Sequence, residues 1–171
     1  MIGKKIYSLY VHLLIILNHI SVVIIFLTAL WIFGDVIGRY FFYHPIPGTT
    51  ELIKTAIIAI VFLGFPYALY KKAHIRTTVL THHLSPEMEK WLEVISSIIG
   101  ITIFTLVCIY GWKAAVKAWA VNEFEGVQLR VPTYPSRFIM VLGSFLLVVQ
   151  YLINLVNILM KKNVKNNEGE N

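Results

Sequence analysis

Histidine, carboxylate and lysine are the side chains through which a chain this apolar could bind a cofactor or move an ion, and their placement decides which chemistry is open to it. Six histidines are present. His44, His74, His82 and His83 fall between apolar runs, whereas His12 and His19 stand seven residues apart on one face of the first run. A haem held between helices needs imidazoles on facing helices. The cores of the other runs hold none, so interhelical hydrogen bonding is the expected role of His12 and His19. His82-His83 has no Cys, Asp or further His at metal-ligand spacing and reads as interfacial loop. Cys108 is the single cysteine and lies inside an apolar stretch, which leaves no disulfide and no thiolate metal site within the chain. Every Asp, Glu, Lys and Arg falls at or beyond the end of an apolar run, so no acid or base sits at membrane depth to carry a coupled proton or ion. Phosphate loops, nucleophile elbows and paired catalytic carboxylates do not occur, which speaks against an enzyme.

Composition explains why those positions count as membrane depth. Hydrophobic residues make up 57% of the 171 and charged residues 14%, with a mean hydropathy of +0.71. A hydrocarbon core about 30 Å thick takes roughly 20 apolar residues per helix. The length therefore holds about four spans. The net charge of +6 is spread over the edges of apolar runs instead of forming one block among aromatics, which points to membrane topology and away from nucleic acid.

The expected fold is an all-α integral membrane protein, a single domain over 1–162 with helices at about 11–33, 50–70, 87–120 and 137–160, short interfacial segments between them, and a polar, disordered tail over 163–171. Lys4 and Lys5 before an apolar run resemble a signal peptide, but the run stays uncharged from Ile6 to Gly34 and ends on bulky residues, as an uncleaved helix would. Pro45, Pro47 and Gly48 mark the first connection, with Thr49 or Thr50 capping helix two and Glu51 in its first turn. Lys54 then snorkels or pairs with Glu51, and Pro66 is expected to kink the helix. Ser85-Pro86-Glu87 is a start signal for helix three, which breaks near 122–126. Val131-Pro132-Thr133-Tyr134-Pro135 calls for extended backbone. Both termini and the connection after helix two gather most of the lysines, which predicts an N-in, C-in orientation. There is no internal repeat of the kind that builds inverted-repeat transporters.

Two faces suit helix packing. On helix three, Ser97, Gly100, Cys108 and Gly111 share a narrow arc. Gln150, Asn154 and Asn157 make a polar stripe on helix four. Each fits either packing within this chain or contact with a second membrane protein.

An ordered set of residues then carries a resemblance: Asp35-Val36-Ile37-Gly38-Arg39-Tyr40-Phe41-Phe42, Pro45, and Gly48-Thr49-Thr50-Glu51-Leu52, followed by Phe62-Leu63-Gly64, His74-Ile75, Val131-Pro132 and Gly143. Over about residues 30 to 145 the chain resembles the small, DctQ-like membrane subunit of tripartite ATP-independent periplasmic (TRAP) transporters. It departs from that pattern after His74-Ile75, where the family commonly has an aspartate and this chain has Arg76-Thr77-Thr78. The resemblance implies a bacterial inner-membrane subunit that braces a large translocating subunit in an obligate complex and helps to dock a periplasmic substrate-binding protein. It also implies organic-acid cargo, such as C4-dicarboxylates, sialic acids or sulfonates. No cofactor is implied in this chain, since the sodium gradient would act through the partner. Asp35, Arg39, Glu51, Lys54, His74, Ser97, Gly100, Gly111, Gln150, Asn154 and Asn157 are the partner-interface candidates. Arg39 and Glu51 in particular are expected to hold the outer ends of helices one and two in register, with each other or with the large subunit. The other readings are a small haem-type redox subunit and a stand-alone four-helix exporter.

Overall fold

Four long apolar runs become four helices: α1 (Ile2–Phe42), α2 (Thr49–Val79), α3 (Pro86–Ala120) and α4 (Tyr134–Asn167). They are seen in a computed structural model that describes residues 2–79, 86–126 and 130–167. Stretches within them, Lys5–Phe42, Thr49–Lys71, Lys90–Ala120 and Tyr134–Met160, are long and apolar enough to cross a membrane. The helices overrun the limits expected from hydropathy because an apolar run marks the lipid and not the helix. Nothing at Gly34 or Asp35 stops α1, which continues to Phe42. Its 41 residues reach about 60 Å, twice the hydrocarbon thickness.

Local signals set the real ends. Tyr43 takes a left-handed φ of 53° after α1, and the chain turns through Pro45 and Pro47 to Gly48, whose φ of 81° suits glycine. The Gly48 carbonyl accepts the first bond of α2 from the Leu52 amide. Thr49 therefore does not cap α2 through its hydroxyl, which donates to the Ile46 carbonyl at 3.0 Å. α2 runs through Pro66, which is buried. The end of α3 is a Schellman motif: Asn122 sits at φ 46°, the Glu123 amide returns to the Ala118 carbonyl, and the Asn122 amide to that of Trp119. Two short strands follow, β1 (Phe124–Glu125) antiparallel to β2 (Val131–Pro132), with Phe124 opposite Pro132. Within Val131-Pro132-Thr133-Tyr134-Pro135 the strand is confined to β2, since Tyr134 and Pro135 already open α4. The first turn of a helix tolerates proline because its N–H groups have no intrahelical acceptor.

The helices pack in the order α1, α2, α4, α3, with no extensive contact between α1 and α3 among the described residues. The arrangement is an open row and not the closed bundle that a four-helix sequence suggests. Lipid tails solvate apolar flanks as well as leucine does, so nothing drives the row to close on itself. Among the described residues the buried apolar side chains are accordingly few, chiefly leucine and alanine: Leu14, Ala59, Leu63, Ala115, Ala118, Leu146 and Leu147, besides Pro66.

Close approach replaces a large core. At the α2–α4 seam a β-carbon on Gly143 would overlap the Phe62 carbonyl oxygen and lie 2.6 Å from the Phe62 β-carbon. On the α3–α4 side the Tyr151 ring covers Gly100 and stacks on Phe104 at 6.1 Å, while Met140 and Val141 meet Gly111. Between α1 and α2, Ser21 lies against Gly64. Tyr10 crosses to α4, donating to the Leu146 carbonyl at 3.1 Å.

Candidate functional site

Charged side chains gather at the end of the row where α1 meets α2 and α3 meets α4. Asp35 is the most buried of them, with a residue exposure of 5%. One carboxylate oxygen accepts the Ile46 amide at 2.7 Å and the other accepts Arg39 Nε at 2.7 Å. Gly38 lets the returning chain close: its carbonyl accepts the His44 amide, and a β-carbon there would lie 2.9 Å from the His44 oxygen. Trp31 adds an indole bond to the Thr49 hydroxyl at 3.3 Å. Asp35, Gly38 and Arg39 thus fold the proline-rich connection back onto α1. Their spacing has a physical reason, since i and i+4 on a helix face the same way.

Arg39 therefore pairs with Asp35, one turn away on its own helix, and not with Glu51 across the connection. Lys54 likewise does not take Glu51 as its ion-pair partner; its ammonium lies 2.7 Å from Glu125 on β1. The turn of the connection points the start of α2 toward the β1–β2 hairpin, and an acid 71 positions away becomes nearer than the one three positions back. Glu123, beside Glu125, receives Arg137 Nη2 at 2.7 Å, and Arg137 Nη1 reaches the Ala114 carbonyl at 3.0 Å. Glu123, Glu125 and Arg137 were not legible as a site because their partners are distant in sequence.

The other candidates divide between inside and outside. Ser97, Gly100 and Gly111 are buried, with Gly100 and Gly111 facing α4, and Cys108 Sγ lies 4.0 Å from the Val141 carbonyl. The small-residue arc of α3 is spent on packing within the chain. Gln150 is 1% exposed and donates through Nε2 to Asn154 Oδ1 at 2.9 Å, while its own Oε1 has no partner among the described residues. Asn157, at the far end of the stripe, is exposed. The His74 side chain, like His82 and His83, lies outside the described residues.

His12 and His19 do not bond between helices. Both are exposed on α1, and each Nδ1 meets the carbonyl four residues back, Ser8 at 3.3 Å and Ile15 at 2.7 Å. Among the described residues no group of three or more His, Cys, Asp or Glu could hold a metal ion.

Residues 28–161 match the family described as "Tripartite ATP-independent periplasmic transporters, DctQ component". No curated protein and no solved structure matches the chain.

Proposed function

Since the chain belongs to the DctQ family of TRAP transporter components, we propose that it is the small, non-catalytic membrane subunit of a sodium-coupled transporter for organic acids. In this reading it braces the large translocating subunit, helps to dock the periplasmic substrate-binding protein and resides in the bacterial inner membrane with both termini in the cytoplasm. The observation that carries the proposal is the open row itself. Its helices pack side by side without closing into a ring among the described residues, and the ion pairs Asp35–Arg39, Lys54–Glu125 and Glu123–Arg137 gather at one end of it. A scaffold needs apolar flanks to offer a partner, and an open row has two. A haem-type subunit gains no support, because His12 and His19 share one outward face of a single helix.

Reconstitution tests the proposal. Proteoliposomes holding this chain alone should show no sodium-driven uptake of C4-dicarboxylates, sialic acids or sulfonates. Adding the large subunit and the binding protein should give uptake of one of these classes. Uptake by the chain alone would overturn the scaffold reading.

A further inference from the structure

His19 stands near the middle of the uncharged run from Ile6 to Gly34, on the outward side of the helix at the edge of the row. A backbone carbonyl can only accept a hydrogen bond, so the 2.7 Å contact with the Ile15 oxygen places a proton on Nδ1. In the neutral ring Nε2 is then a lone-pair acceptor that the helix's own backbone does not reach. His12, two turns away, is held the same way on the Ser8 carbonyl. An acceptor facing hydrocarbon has no donor there, and intramembrane histidines ordinarily face protein or a wet cavity. The opposite edge lacks this feature. Thr102, exposed on α3, satisfies its hydroxyl proton on the Ile98 carbonyl of its own helix. Asn157 on α4 is exposed too, but it lies close to Met160, where the span ends and headgroups are within reach.

The surface around His19 is shaped for a helix. Ile16, Ile20, Val23 and Ile24 line a shallow apolar groove with it, between the neighbouring i, i+4 rows 16, 20, 24 and 19, 23 on one face of α1. We infer that this face of α1 is where a transmembrane helix of the large subunit docks, presenting a hydroxyl, amide or indole donor to His19 Nε2. The inference rests on the family reading for the existence of that partner and adds which edge it takes and what chemistry it must offer. A lipid chain fills the groove but brings no donor to mid-membrane. A second copy of this chain would have to bring a donor on the same face, where both imidazoles present acceptors.

Photo-crosslinking in membranes that carry the whole transporter decides the matter. A benzophenone amino acid is placed singly at Ile16, Ile20 or Val23 on α1, and at Ile103 or Ile109 on α3; all five positions are exposed, so the substitutions leave the packing intact. Large-subunit peptides should be captured from the α1 positions and not from α3. His19→Leu should lower recovery of the complex about 3- to 16-fold, the range of one interhelical hydrogen bond in a bilayer, and His19→Gln, whose amide oxygen also accepts, should retain most of it. Capture from α3 alone, capture of a second copy, or lipid adducts alone at all three α1 sites overturns the docking face. If the subunits fail to co-purify even without substitution, the proposed function falls and takes this face with it.

Discussion

Replacing four glycines by alanine, one at a time, should separate the close helix contacts from one another by size. Alanine returns about 1 kcal/mol of helix propensity at an interior helical site, so each variant starts with the same modest gain. At Gly143 the added methyl would overlap the Phe62 carbonyl oxygen and sit 2.6 Å from its β-carbon and 2.7 Å from its carbonyl carbon. Carbon atoms pack best at about 3.5–4.0 Å, so α2 and α4 must part by about 1 Å, which forfeits a quarter to a half of the dispersion energy along the seam. Two of those three neighbouring atoms are backbone and cannot turn aside. Overpacking of this kind costs about 1–3 kcal/mol and leaves a net loss for Gly143→Ala. Gly100→Ala meets the Tyr151 ring at 2.5–2.7 Å, which can swing away at the expense of its stack on Phe104. Gly111→Ala meets the tip of Met140 at 3.0 Å, a flexible side chain that yields with little penalty. Gly34→Ala finds only Ile46 Cδ1 at 4.0 Å and should be neutral or stabilising. Thermal midpoints of the detergent-solubilised chain, followed by size-exclusion recovery after heating, should rise in the order Gly143, Gly100, Gly111, Gly34. A Gly143→Ala protein as heat-resistant as Gly34→Ala would refute the close seam between α2 and α4.

Asp35→Ala should free the Ile46 amide and release the connection, so that a cysteine at Ile46 in a Cys108→Ala background reacts faster with maleimide, whereas Arg39→Gln, which removes only a half-exposed partner, should change the rate less. Gln150→Met removes a buried acceptor that has no partner and should raise the midpoint by an amount on the order of 1 kcal/mol, while Asn154→Leu leaves the Gln150 amide unsatisfied at both ends and should lower it. Opposite signs check the assignment; equal losses refute it. Reporters fused at Pro45 and Glu125 should be active in the periplasm and a reporter at the C-terminus in the cytoplasm, with cytoplasmic signal at Pro45 reversing the orientation.

Spans were readable because about 20 uncharged residues have few places to go but lipid, and the α3 break was readable because Asn122 is a residue type that tolerates positive φ. Helix ends were harder. The passage from Gly34 to Phe42 looks like a terminus by charge, yet Asp35 and Arg39 satisfy each other and α1 runs on. Spacing alone exposes that i, i+4 pair. Lys54 shows the opposite limit, for Glu51 is a sound local partner and only the tertiary path of the hairpin makes Glu125 nearer. The order of the row was not legible either. Which helix neighbours which depends on matching faces, and α4 gains two neighbours because its Gly143 admits Phe62 of α2 while its Met140 and Val141 fit against Gly111 of α3.

The latch at Asp35 bears on how the protein is made. All of its contacts, from Trp31 to Thr49, lie within the first half of the chain, and the Schellman turn and the Arg137–Glu123 pair lie within the second. Chains emerge from the ribosome N-terminus first, at about 5–20 residues per second, so the first pair of helices is complete while the second is still being translated. A ready-set turn lets that pair enter the bilayer as a finished unit. The Gly143 seam, the Tyr10 hydroxyl and the Lys54–Glu125 bridge then join two prefabricated halves, so biosynthesis needs one docking step and not the simultaneous gathering of four helices.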